Sequence, residues 1–312
     1  MPPLDPAVRR FLEELNKVMP PQMTKIPLDE FRKMFRAFFT SQPKRPIYRV
    51  FDIMIPGTET KIPARVYVPR EGNDFGVLVY LHGGGFVLGD VETYDPLCRE
   101  LSVACDCVVV SVDYRLAPEH KFPAAVIDAF DSTKWALEHA REINGDPEKV
   151  AVGGDSAGGN LAAVVAIMAR DQGLKPALKY QVLINPFIGV DLASYTMREY
   201  STGLFLEREA MAFFNKAYLR SPADAFDPRF SPILVDNLSN LPPALVITSE
   251  YDPLRDSAET YATKLAEAGG VPTVTVRFNG VTHGFYGFPI PHAKAVIGLI
   301  GSTLRQAFYN RY

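Results

Sequence analysis

The chain has 312 residues, of which 47% are hydrophobic and 22% are charged, and its formal net charge is −3. This composition is typical of a globular protein with a sizeable core, and it excludes disordered, fibrous and collagen-like chains. Because acidic residues slightly outnumber basic ones and no block of like charge occurs, the sequence argues against nucleic acid as a partner.

Neither a secretory signal nor a membrane span is predicted. Residues 1–21 lack a positively charged start followed by an unbroken apolar run, and no stretch reaches the roughly 18 apolar residues of a span. We therefore expect a cytoplasmic protein without a membrane partner.

The chain has three cysteines, Cys98, Cys105 and Cys107, which are too few and too close together for a disulfide framework. The alternation of Cys105 and Cys107 around Asp106 predicts a strand with both thiols on one face.

Two amphipathic helices are predicted near the N-terminus, at about residues 5–18 and 28–39, because apolar residues recur there at helical spacing. The Pro20-Pro21 pair separates them. This aromatic-rich segment could complete the core or form a lid over it, and the residues alone favour neither.

The pattern after Pro43 predicts strands alternating with helices. Residues 48–55 and 61–69 alternate like two antiparallel strands, and six short apolar runs follow, at residues 76–81, 108–112, 150–152, 180–184, 244–248 and 272–278. Runs of this kind suit strands that are buried on both faces of a parallel sheet. Helix-length segments lie between most of them, at residues 123–142, 157–172 and 256–268, and a last one covers residues 292–308. The alternation predicts a layered α/β fold.

One connection, residues 187–224, is unusually long and carries a helical pattern without a strand, notably at residues 207–219. A long insertion over the edge of a sheet is often a functional lid.

The strongest chemical signal is the run Gly154-Asp155-Ser156-Ala157-Gly158. It follows a short predicted strand and precedes a helix rich in small residues, which is the setting of a nucleophile elbow. The glycines leave room for the strained turn, and the helix N-terminus favours developing negative charge. Ser156 is therefore the predicted nucleophile.

A second signal is the run His82-Gly83-Gly84-Gly85-Phe86, directly after a predicted strand. Backbone without side chains can present N–H groups to an oxyanion, and each such donor can be worth about 10²–10³ in rate. The alternative is a flexible glycine loop without a catalytic role. The position of the loop upstream of the elbow favours the role as an oxyanion donor.

A serine nucleophile needs a base and a group that orients the base, in the order serine, acid, histidine for this kind of fold. Only His283 and His292 follow the serine, and His283 lies in a loop just past the last apolar strand. Asp252 follows a strand and precedes a proline, whereas Glu250 is still at the strand end and Asp256 resembles a helix N-cap. We therefore predict His283 as the base and Asp252 as the acid.

Metal binding is not predicted. His82 and His120 have no ligand cluster at usable spacing, so structural roles are expected for both. The neighbouring Asp113, Arg115 and Glu119 predict a buried salt-bridged support.

Taken together, five motifs resemble the hormone-sensitive-lipase-like family of bacterial and archaeal carboxylesterases. They are His82–Gly85, Asp113–His120, Gly154–Gly159, Asp252–Asp256 and His283–Phe285, in the family's order. The resemblance implies an α/β-hydrolase fold with a mostly parallel eight-stranded sheet flanked by helices. It also implies a catalytic domain at residues 44–312 and a helical cap from residues 1–43 and 187–224.

The resemblance further implies a triad of Ser156, Asp252 and His283, with an oxyanion hole from the N–H groups of Gly83, Gly84 and Ala157. The implied activity is hydrolysis of small-molecule esters with short to medium acyl chains, through an acyl-enzyme and without a cofactor or metal. Homodimers through the edge strand, here residues 272–278, are also implied.

Other functions on the same fold are less well supported. Epoxide hydrolases use an aspartate nucleophile, against which Ser156 argues. Amide or peptide hydrolysis shares the tetrahedral chemistry and stays open. A non-catalytic receptor is disfavoured because serine, acid and base are all present. Labelling by a fluorophosphonate separates enzyme from receptor.

Overall fold

The computed structural model describes residues 3–18, 25–267 and 270–310. Its strands are β1 (Arg49–Pro56), β2 (Lys61–Val68), β3 (Phe75–Leu81), β4 (Cys107–Val112), β5 (Gly145–Asp155), β6 (Tyr180–Ile184), β7 (Ala244–Tyr251) and β8 (Thr273–Thr282). They form one sheet in the order β1-β2-β4-β3-β5-β6-β7-β8. Only the β1–β2 and β2–β4 pairs are antiparallel. The predicted α/β-hydrolase fold with a mostly parallel eight-stranded sheet is confirmed.

Helices cover both faces of this sheet. They are α1 (Pro6–Val18), α2 (Leu28–Thr40), α3 (Asp95–Cys105), α4 (Ala124–His139), α5 (Ala157–Asp171), α6 (Tyr195–Glu199), α7 (Arg208–Tyr218), α8 (Arg255–Glu267) and α9 (Pro291–Tyr309). Alternate residues of β3 explain the two layers: Val77 and Val79 pack in the cluster with α4, α5 and α8, whereas Leu78 and Tyr80 pack in the cluster with α1, α3 and α9. Every residue of β3 is buried, as expected for a strand covered on both faces.

The two N-terminal helices are observed close to their predicted positions, and they pack against different clusters. α1 buries Val8, Leu12 and Leu15 in the α3–α9 cluster, while α2 buries Phe31 and Phe35 in the α4–α5 cluster. The predicted break at Pro20-Pro21 lies outside the described residues. This segment therefore contributes to the packing on both sides of the sheet.

The prediction of a strand holding Cys105 and Cys107 together is wrong. Cys105 is the last residue of α3, a helix that the sequence reading did not identify, and Cys107 is the first residue of β4. Asp106 between them adopts a left-handed conformation with φ of 49°, and its N–H caps the helix on the carbonyls of Ser102 and Val103. The three cysteines are free and buried.

The long connection at residues 187–224 contains α6 and α7, and the helix predicted at residues 207–219 is α7. β8 includes most of the predicted strand at residues 272–278, and it is an outer strand of the sheet. Dimerisation through it stays a prediction. No helix in the described ranges is long and apolar enough to cross a membrane.

Candidate active site

Ser156 occupies the sharp turn between β5 and α5. Its φ of 54° and ψ of −116° lie in a region that non-glycine residues rarely adopt, as the strained elbow requires. The Ser156 N–H donates to the Ile184 carbonyl at 2.9 Å, which ties the turn to β6. A Cβ on Gly158 would lie 1.9 Å from the Leu81 carbonyl oxygen, so only glycine allows α5 to approach β3 this closely.

His283 and Asp252 meet Ser156 at the carboxyl edge of the sheet. Asp252 follows β7 and His283 follows β8, which are parallel neighbours, so their carboxyl ends lie side by side. His283 Nε2 lies 3.0 Å from Ser156 Oγ, and Nδ1 lies 2.8 Å from Asp252 Oδ2. Both His283 and Asp252 are buried. The geometry is that of a nucleophile, a base and an orienting acid.

Three hydrogen bonds hold the Asp252 carboxylate. Besides His283, Oδ2 accepts from Asn185 Nδ2 at 2.8 Å, and Oδ1 accepts from the Leu254 N–H at 2.8 Å. A buried carboxylate is stable only when its oxygens have such partners. Asn185, which follows β6, was not identified from the sequence, because a single asparagine after a strand carries no distinctive signal.

The competing acids have other partners. Glu250 accepts from the Gly280 N–H at 2.7 Å, and Asp256 accepts from the Thr196 N–H at 3.0 Å and pairs with Arg255. His292 is the second residue of α9, away from the loop after β8. Glu250 and Asp256 thus stabilise loops and helix ends around the site.

The loop at residues 82–86 requires a correction to the predicted oxyanion donors. The Gly83 N–H donates to Asp155 Oδ1 and to the Tyr94 hydroxyl, each at 3.1 Å. An N–H with two buried acceptors is not available to a substrate. The cavity beside Ser156 is instead lined by Gly84 and Gly85. The sequence alone could not locate the donors, because any of three consecutive glycines fits the pattern.

Asp155 is a buried carboxylate beneath the elbow that the sequence reading did not single out. It accepts hydrogen bonds from the hydroxyls of Tyr80 at 2.6 Å, Tyr94 at 3.0 Å and Tyr286 at 2.5 Å. Burial raises the pKa of Asp155, and the three hydroxyl donors oppose that effect. The cluster joins β3, the elbow, the glycine loop and the segment after His283.

A cavity of about 1180 Å³ opens above Ser156. Aromatic rings from the insertion contact the catalytic loops there. A Cβ on Gly85 would lie 2.3 Å from the Phe214 ring, and one on Gly284, next to His283, would lie 2.7 Å from the Phe205 ring. Both glycines have positive φ. The insertion therefore packs directly on the loops that carry the candidate donors and base.

The structural role predicted for His82 agrees with its contacts. Its Nδ1 lies 2.8 Å from the Gly83 carbonyl oxygen, and its ring stacks on Tyr114 at 4.3 Å. The salt bridges predicted for Arg115 and Glu119 are present, but their partners lie outside the set of Asp113, Arg115 and Glu119, and the Glu119 side chain is 52% exposed rather than buried. Arg115 binds Asp128 and Glu59, and Glu119 binds Arg32.

The sheet, the serine at its strand-to-helix turn and the adjacent histidine and aspartate define the class of α/β-hydrolases. Residues 78–287 match the sequence model of the alpha/beta hydrolase fold family. The chain belongs to this family, in its hormone-sensitive-lipase-like group.

Similar proteins include several esterases. An arylesterase of Saccharolobus solfataricus is 42% identical over 98% of this chain and 99% of its own length. Carboxylesterase NlhH of Mycobacterium tuberculosis is 40% identical over 80% of each chain. The structure of a hyperthermophilic esterase from Pyrobaculum calidifontis aligns with a TM-score of 0.93 at 46% identity, covering 97% of this chain and 98% of that one.

Proposed function

We propose that this protein hydrolyses small-molecule esters with short to medium acyl chains through an acyl-enzyme on Ser156. The chain is a carboxylic-ester hydrolase, as its relatives are named, and the proposal concerns its mechanism and substrates. The observation that carries it is the continuous hydrogen-bonded series from Ser156 Oγ through His283 to Asp252, at the floor of an apolar cavity.

The proton transfers follow from that series. As Ser156 Oγ attacks the ester carbonyl carbon, its proton moves to His283 Nε2. The tetrahedral intermediate then expels the alcohol, which takes the proton from Nε2. Water repeats the sequence on the acyl-enzyme, with His283 again as base, and releases the acid. Asp252 holds the Nδ1–H, so that Nε2 faces the serine and the imidazolium is stabilised.

We assign the oxyanion hole to the N–H groups of Gly84, Gly85 and Ala157, with Gly85 in place of Gly83. All three residues line the cavity beside Ser156. Ala157 is the first residue of α5, where helix N–H groups have no partner within the helix. Among the described residues, no acceptor bonds the N–H of Gly84 or Gly85. Free donors that are fixed before the reaction stabilise the oxyanion most effectively.

We also propose that residues 1–43 and 187–224 act as a cap on a catalytic domain of residues 44–312. Side chains from both segments line the cavity with Ser156, including Phe35 of α2 and Phe214 of α7. A mostly apolar cap would reduce the access of water to the acyl-enzyme and limit the length of the acyl chain that can be buried.

A series of esters with one alcohol and acyl chains of two to twelve carbons tests the substrate class. Each methylene gains about 0.8 kcal/mol until the enclosed space ends. We therefore expect kcat/KM to peak at roughly four to eight acyl carbons. A maximum at two or at twelve carbons would contradict the proposed acyl site. Faster cleavage of the matched amides would instead favour the amidase alternative.

A further inference from the structure

Asn185 lies between the nucleophile and the acid. It follows β6 directly, and only 1% of its surface is exposed. The carbonyl of the preceding residue, Ile184, accepts from the Ser156 N–H at 2.9 Å. The N–H of Asn185 itself donates to the Ile247 carbonyl at 2.7 Å. The backbone at this position is therefore tied to the elbow on one side and to β7, the strand that leads to Asp252, on the other.

The Asn185 side chain is oriented as a hydrogen-bond donor. Its Nδ2 lies 2.9 Å from Ser249 Oγ and 2.8 Å from Asp252 Oδ2, so both amide hydrogens have an acceptor. Turning the amide over would place its carbonyl oxygen against the carboxylate, and neither oxygen could donate. The network therefore fixes Nδ2 towards Asp252. A hydrogen bond to a charged acceptor of this kind is stronger than one between neutral groups.

The Asp252 carboxylate can turn about its Cβ–Cγ bond, so its orientation depends on the donors at each oxygen. Oδ1 accepts from the Leu254 N–H, while Oδ2 accepts from Asn185 and lies next to His283 Nδ1, each at 2.8 Å. Among the residues that the structure describes, Asn185 is the only side chain apart from His283 that binds this carboxylate. It holds Oδ2 towards the histidine independently of the histidine itself.

From these contacts we propose that Asn185 is a positioning residue, which holds the Asp252 carboxylate in place while His283 gains and loses its proton. The inference rests on the proposed acyl-enzyme mechanism and adds a residue to it. When Nε2 takes the proton of Ser156, the imidazolium attracts the carboxylate more strongly, and the bond from Asn185 opposes a rotation of Oδ2. A rotated carboxylate would turn Nε2 away from the serine, and small errors of position cost large factors in rate.

The role of Asn185 separates two kinetic constants. Asn185 is not among the residues that line the cavity, so it acts through Asp252 rather than on the substrate. Its loss should therefore lower kcat and leave KM nearly unchanged, since the interaction matters when the histidine is protonated. A residue that merely supported the walls of the cavity would change KM as well.

The test replaces Asn185 by glycine. The φ of Asn185 is 43°, a value that glycine adopts without strain, so Asn185→Gly removes the amide and still permits the turn. We expect kcat on butyrate esters to fall by about 10- to 100-fold at unchanged KM. Asn185→Ser is the second variant and should give the same result, because its hydroxyl ends one bond short of the amide nitrogen. Circular dichroism checks the fold of both.

Gln181 supplies the matched control. It is a buried amide in β6, whose Nε2 donates to the Pro242 carbonyl at 2.9 Å. Its Oε1, like Oδ1 of Asn185, accepts no hydrogen bond from any residue in the described ranges. Gln181→Ala therefore removes a similar buried amide without altering the contacts of Asp252. It should lower the free energy of unfolding but keep kcat within about threefold of the wild type.

Proton NMR measures the positioning directly. The Nδ1 proton of His283, in its hydrogen bond to the carboxylate, should give a signal well downfield of the amide protons, and Asp252→Asn should remove this signal. In Asn185→Gly and Asn185→Ser the signal should shift or broaden, because the carboxylate is no longer held. In Gln181→Ala it should match that of the wild type.

Several results would overturn the inference. An unchanged kcat or an unchanged His283 signal in the Asn185 variants would show that Asp252 keeps its orientation without the amide. A KM that rises as kcat falls, or an equal loss of kcat in Gln181→Ala, would show a general effect on the fold. Failure of both Asn185 variants to fold would leave the residue a structural role only. In each case hydrolysis of butyrate esters by the wild type would leave the proposed function standing, whereas no hydrolysis of any ester would remove both.

Discussion

In the proposed mechanism, Asp252 is the residue that allows His283 to act as a base. Asp252→Asn keeps the size of the side chain but favours the wrong tautomer of His283, so we expect kcat to fall by roughly 10⁴. Ester hydrolysis by the purified variant measures the loss, and circular dichroism checks the fold.

The competing acids supply the controls for this substitution. Asp256→Asn and Glu250→Gln remove carboxylates that bind Thr196 and Gly280 rather than His283. We expect both variants to stay within about tenfold of the wild-type rate, since their contacts stabilise only the surrounding loops. A larger loss in either variant than in Asp252→Asn would mean that the acid is assigned incorrectly.

The three triad residues could be predicted from the sequence, whereas one of the oxyanion donors could not. Ser156, Asp252 and His283 could be singled out because each follows an apolar strand, and the structure places them within hydrogen-bond distance. The sequence could not show that the Gly83 N–H is unavailable as a donor. That N–H is occupied by the Asp155 carboxylate, whose partners Tyr80, Tyr94 and Tyr286 come together only in the fold.

Charge complementarity is the main feature of α2 and the segment after it. Basic side chains from this part of the chain meet acidic ones of the body in the pairs Arg32–Glu119, Arg36–Asp90, Lys44–Asp95 and Arg45–Glu100. Arg32 also donates to the carbonyls of Val87 and Ala117, close to the glycine loop. These pairs link the N-terminal segment to the loops around the candidate site.

The Arg32–Glu119 pair predicts a pH dependence of stability. Its hydrogen bonds lower the pKa of Glu119 to about 2, against about 4.3 for an unfolded glutamate. The folded pKa is the lower one, so the contribution is present above pH about 4.3 and is lost as the pH falls towards about 2. Because the Glu119 side chain is 52% exposed, we expect no more than about 1 kcal/mol.

Denaturant unfolding of Glu119→Gln and the wild type at pH 7 and pH 3 measures this contribution. The free-energy difference between the two proteins should be largest at pH 7 and smaller at pH 3. Glu138→Gln is the matched control, because Glu138 lies 4.0 Å from Lys134 on the exposed surface of α4. A difference that grows as the pH falls would contradict the predicted direction.

Helices in which apolar residues recur at a clear helical period were predicted well. A helix end that depends on the conformation of one residue was not. The helices at residues 5–18 and 28–39 match α1 and α2 to within one residue at each end. α3 was missed because the sequence around Cys105 and Cys107 alternates like a strand. The left-handed conformation of Asp106, which ends α3 and allows β4 to begin at the next residue, has no periodic signal.

The proposed catalytic series depends on the whole molecule, because the parallel strands that carry its residues end at a common edge of the sheet. Ser156 follows β5, Asp252 follows β7 and His283 follows β8, although 127 positions separate the serine from the histidine. The mostly parallel eight-stranded sheet could be inferred from the family resemblance. The cavity could not, because its walls combine α1, α2, α3, α7 and α9, whose relative positions depend on long-range packing.

The most direct test of the account is the reactivity of Ser156 itself. A fluorophosphonate probe should attach to the wild type at one residue, identified as Ser156 by peptide mass spectrometry, and labelling should abolish hydrolysis of butyrate esters. Ser156→Ala should remain folded, take up no probe and lose several orders of magnitude in kcat/KM. A Ser156→Ala variant that keeps hydrolysis within about tenfold of the wild type, or a probe adduct at another residue, would contradict the account.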